Sequence, residues 1–105
     1  MERYAILRRG AWRTAEEVRE AAARALAEGE RMPDDVRWIR SYVLTEHDAS
    51  LGTVCVYEAV SPEAIREHAQ RAELPIDEIV ALVDTVVVRP DPESAAASGP
   101  TKGES

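Results

Sequence analysis

The chain has 105 residues, 31% of them charged, and a formal net charge of −7. That length suits one domain, and the acidic balance excludes both the basic patch that nucleic-acid phosphates need and docking on an anionic membrane. The single cysteine closes no intrachain disulfide, no stretch nears the roughly 18–20 apolar residues of a membrane span, and MERYAILRRG lacks the features of a secretory signal, so a cytoplasmic protein is expected.

RYAILRR, residues 3–9, has the length and Tyr/Ile content of a strand, closed by Gly10. Thr14 with Glu17 three residues later is a capping box. Val18, Ala22, Ala25 and Leu26 then recur at helical spacing up to Gly29, where the helix is predicted to end. Residues 36–46 alternate as a half-buried strand, with Trp38, Arg40, Tyr42 and Leu44 on one face and Ile39, Ser41 and Val43 on the other. HDASLG reads as a hairpin connection and residues 53–59, TVCVYEA, as the returning strand. Ser61 as N-cap and Pro62 at the first helical position open a second helix, whose stripe is Ile65, His68, Ala69 and Ala72, and Leu74-Pro75 stops it. Residues 78–88, EIVALVDTVVV, form a last strand that is apolar on both parities. The domain is predicted over 1–90, and the small, polar, Pro/Gly-rich segment 91–105 as a disordered tail.

The order β-α-β-β-α-β is the ferredoxin-like α+β pattern: a four-stranded antiparallel sheet with two helices on one face. Helices cover one face only, yet the sheet is apolar on two. A second copy packed sheet to sheet is the economical cover, and a homodimer, a dimeric α/β barrel, is predicted.

Most of the reactive side chains fall within residues 50–75. His68 sits on the apolar stripe of its helix, about 9 Å past the helix start. Glu58 lies about 10 Å before the same turn along its strand. If the face carrying Val54, Val56 and Glu58 meets the helix, Glu58 and His68 touch. A carboxylate beside an imidazole either fixes a metal-binding tautomer, sharpens a base, or is a buried polar pair. Cys55 and Tyr57 then fall on the opposite strand face with Trp38, Arg40 and Tyr42, and Trp38, Tyr42, Cys55 and Tyr57 suit the lining of an apolar pocket inside the dimer. The Ala-rich helices leave room for Trp38 beneath them, so the other parity stays open. Glu46, His47 and Asp48 are metal-capable, but neighbours on a strand end point apart and rarely share one ion. No zinc spacing, phosphate loop or Ser-His-Asp set is present.

RWIRSYV, CVYEA, AIREHAQRAELP and EIVALVDTVVV, in this order, resemble the small bacterial nickel-responsive, nickel-binding proteins, a family long filed as a domain of unknown function. The resemblance covers roughly residues 1–90 and matches the family pattern at Trp38, Ser41, Tyr42, Cys55, Tyr57, Glu58 and His68. It implies a dimeric ferredoxin-like barrel that binds nickel without established catalysis. On chemical grounds His68 and Glu58 are the expected metal ligands, and with one such histidine per chain a site can need both protomers. The alternative is a cofactor-independent enzyme of the same fold, of monooxygenase, isomerase or cyclase type, acting on a small organic molecule. There His68 is the acid/base group with Glu58 as a further catalytic candidate, Tyr42 or Tyr57 donates a hydrogen bond, and Trp38 walls the pocket. A pocket larger than an ion favours the small molecule, and a tight cluster of donor atoms favours the metal.

Overall fold

In a computed structural model that describes residues 1–92, β1 (Glu2–Trp12), α1 (Ala15–Glu30), β2 (Val36–Thr45), β3 (Leu51–Ala59), α2 (Pro62–Ala72) and β4 (Glu78–Leu82) follow one another as β-α-β-β-α-β. All pairings are antiparallel, in the order β2-β3-β1-β4, with both helices on one face. This is the ferredoxin-like α+β fold.

Both helix starts follow from their caps. The Thr14 hydroxyl accepts from the Glu17 amide at 3.1 Å, while the Glu17 carboxylate reaches back to the Arg13 amide at 2.7 Å, one residue earlier than in the standard box. Ser61 accepts from the Ala64 amide at 3.1 Å, with Pro62 next in line. At the far end of α2, Glu73 takes the left-handed conformation (φ 60°), and the Leu74 amide bonds back to the Ala69 carbonyl at 2.8 Å. The helix therefore ends in a left-handed cap before Pro75 is reached. The Arg24 Nε on α1 donates to the Ala72 carbonyl at 2.8 Å, which ties the two helices together and satisfies one of the open carbonyls there. α1 runs through Gly29 to Glu30, with Gly29 packed towards the His68 ring.

Tyr4, Ile6, Val36, Cys55, Tyr57 and Ala59 meet Ala64 and Ile65 of α2 in the core. Three departures from the expected strands matter for the site. β1 passes through Gly10 (φ 58°) as a bulge and resumes at Trp12. Gly52 lies beneath that bulge, where a Cβ would run into the Arg8 carbonyl, so only glycine fits. In β2 the register slips between Trp38 and Arg40, leaving Ile39 unmatched. The slip reverses parity along the strand: Trp38, Ser41 and Val43 share the helix face, opposite Tyr57, Cys55 and Thr53, while Arg40 and Tyr42 turn to the open face. β4 stops at Leu82, which pairs with Arg3, because only Glu2 and Met1 remain on β1 to receive it.

Residues 83–91 continue as an arm towards β2. Thr85 is held by the Arg3 guanidinium, and Asp91 accepts from Arg40 and from the Tyr42 hydroxyl, both at 2.7 Å. The start of the expected tail is thus tied to β2, and its remainder from residue 93 lies outside the described residues. Among the described residues no helix is long and apolar enough to cross a membrane.

Candidate functional site

β3 alternates strictly. Thr53, Cys55, Tyr57 and Ala59 are buried under the helices, and Val54, Val56 and Glu58 face the other way. This corrects the pairing of Glu58 with His68. Glu58 stands on the open face beside Arg37, 3.7 Å from its guanidinium. His68 lies in the core against Tyr57, with ring centroids 5.4 Å apart and planes at 59°. A period of two forbids Glu58 from sharing a face with Tyr57, so the helix meets the Cys55/Tyr57 parity.

His68 Nε2 is 2.9 Å from the Ala25 carbonyl. A carbonyl only accepts, so Nε2 carries the proton and Nδ1 is left with a lone pair, buried and without a partner among the described residues. Burial, with the Arg8 charge adding to it, holds the imidazole below its usual pKa, against the opposing pull of the Ala25 hydrogen bond.

Cys55 and Tyr57 are brought together with Trp38, whose ring stacks on Tyr57 at 6.2 Å and 12°. The Trp38 indole nitrogen donates to Ser41 at 2.8 Å, which holds the ring in place. These residues line a cavity of about 160 Å³ between the sheet and α1, closed on the helix side by Val18, Ala21, Ala22 and Ala25 and on β1 by Trp12 and Arg8. Small residues on α1 leave the space that the large rings of the sheet enclose. Tyr42, expected on the same wall, instead faces Asp91 on the open side. Burial pushes the Tyr57 hydroxyl pKa well up, against the opposing Arg8 charge, so it stays protonated and available as a donor.

Arg8 is the residue the sequence reading missed. It is 1% exposed, with Nη1 3.3 Å from Cys55 Sγ and Nε and Nη2 without partners among the described residues. The signal was the alternation Tyr4, Ile6, Arg8, which places the arginine on the inward parity once the strand runs on to Trp12.

A metal finds no such preparation. Among the described residues no three His, Cys, Asp or Glu side chains cluster. His68 has the Arg8 cation among its electrostatic neighbours, and a dication there would meet repulsion. In the hairpin, Glu46 is engaged by Arg9 and by the Gly10 amide, each contact at 2.9 Å, and Asp48 by Ser50, while His47 is exposed. Among the described residues the donor set does not fit a nickel centre.

The fold is similar to that in the crystal structure of SCO4226 from Streptomyces coelicolor A3(2), with TM-score 0.66 and 22% identity over 80% of this chain and 99% of that one. No curated protein sequence matches it. The model of the family described as nickel responsive protein SCO4226-like matches residues 4–82, from within β1 to the end of β4. The chain belongs to the nickel-responsive SCO4226-like family.

Proposed function

We propose that this chain is a homodimeric binding protein of the nickel-responsive family that holds a small organic molecule in the cavity between α1 and the sheet. The cavity itself carries the reading. At about 160 Å³ it is far larger than an ion needs and close to the size that admits one benzene-sized ring. Its walls are chiefly aromatic and aliphatic with a few placed polar groups, the usual make-up of a ligand site. Among the described residues its lining contains no carboxylate or imidazole to move a proton, which favours binding over turnover. The nickel of the family name does not enter this site. An ion, if held, draws its ligands from more than one protomer.

The dimer is supported by the open face, where Leu7, Val54, Val56, Val80 and Leu82 have no helix over them among the described residues. Val83, Val86, Val87 and Val88 of the arm are strongly exposed beyond β4.

The test is a nuclear magnetic resonance titration of the labelled protein with benzyl alcohol. Saturable shifts of the two tryptophan indole signals are expected, because Trp12 and Trp38 both line the cavity. Ala22→Phe, which fills it from α1, abolishes them. Shifts confined to the open face would overturn the reading. So would a calorimetric Ni²⁺ site of one ion per chain that His68→Ala removes.

A further inference from the structure

We infer that the ligand of this cavity is a small monocarboxylate with an apolar body, its acid group paired with the free edge of Arg8; the inference rests on the cavity being the binding site. Arg8 stays protonated in proteins whatever its surroundings. Here it is 1% exposed, so its edge meets a ligand only when the side chain turns into the cavity. A guanidinium removed from water without a counter-charge is strongly unfavourable. Among the described residues no carboxylate lines the cavity.

The pattern of its hydrogen bonds is informative. Nη1 is engaged by Cys55 Sγ at 3.3 Å, and the two nitrogens without partners among the described residues are Nε and Nη2. Those two share the side edge of the guanidinium, where the N–H bonds run parallel at the spacing of carboxylate oxygens. A single hydroxyl or amide oxygen leaves one of them open, and a carboxylate fills both.

The rest of the wall sets the remainder of the ligand. Beside the neutral hydroxyls of Ser41, Thr53 and Tyr57, no second cation lines the wall among the described residues, and the protein as a whole is at −7. One buried cation offsets one negative charge, so a dianion such as a phosphate monoester is disfavoured. A cation is repelled. An aromatic or branched acid of about benzoate size matches the cavity volume.

Calorimetric titration of the intact protein with benzoate and with benzamide, its neutral isostere, tests this without altering a residue. Benzoate is expected to bind about tenfold tighter or more. Arg8→Met removes the preference for the acid, and Arg8→Lys, which keeps a point charge without the fork, retains part of it. Equal affinity for the two ligands overturns the inference while leaving the cavity as a binding site. Heat from neither, together with unmoved indole signals in benzyl alcohol, overturns the cavity reading as well.

Discussion

His68 gives its one N–H to the Ala25 carbonyl and is neutral in the fold. Its pKa there lies below the unfolded-state value of about 6.5, chiefly through burial. Above that value neither state binds the proton and the contribution to stability is complete. As pH falls through 6.5 the unfolded chain takes up a proton that the folded chain refuses, and stability declines. Urea midpoints measured from pH 7.5 down to 6 are therefore expected to fall, and to fall less in His68→Leu; an equal fall in both would assign the effect elsewhere. The imidazole stripe position was legible in the sequence, because helical spacing places residue 68 with Ile65 and Ala72. Its role was not, since a carboxylate partner for it depended on strand parity. Arg8 was hidden for a related reason: a charge next to an expected strand end reads as solvated, and only the continuation of β1 to Trp12 puts it inside.

The helices and their starts could be read directly, because caps and periodicity are local properties: Thr14, Ser61 and Pro62 sit where their chemistry requires, and Glu17 misses the standard box by one residue. Strand faces are not local. The slip at Ile39 inverts β2 from Arg40 onward, and no composition signal in RWIRSYV marks it. That one slip puts Trp38 and Ser41 on one face and Tyr42 on the other. Gly29 likewise reads as a helix stop and proves to be the penultimate residue of α1, with helical backbone. A Cβ built there would meet His68 Nε2 at 3.7 Å, an ordinary contact. Gly29→Ala is thus expected to stabilise the protein by about 0.5–1 kcal/mol through helix propensity, seen as a rise of a few degrees in Tm. A fall in Tm would show that α1 and α2 pack more closely at this point than the contact implies.

At the scale of the molecule, one sheet face is covered by helices and the other only in part, by the arm 83–91. The expected eleven-residue last strand was too long, because antiparallel pairing is limited by the partner and β1 begins at Glu2. The valines left over from it project outward beside the open face. Burying them against a second copy accounts for their exposure, and light scattering at micromolar concentration should give twice the chain mass. Val56→Glu, which sets a charge in the middle of the open sheet face, is expected to convert the protein to a folded monomer with unchanged far-ultraviolet circular dichroism. A wild-type monomer at that concentration would remove the dimer from the account.

The same geometry that leaves one face open sets a cavity on the other, with the buried Arg8 in its wall, and the proposed ligand site lies there. Diffraction from crystals grown with benzoate tests that most directly. The account predicts one benzoate per chain between α1 and the sheet, its two oxygens on Arg8 Nε and Nη2 and its ring between Trp12 and Trp38. A benzoate found only elsewhere, with Arg8 solvated by water in an otherwise unchanged cavity, would contradict it.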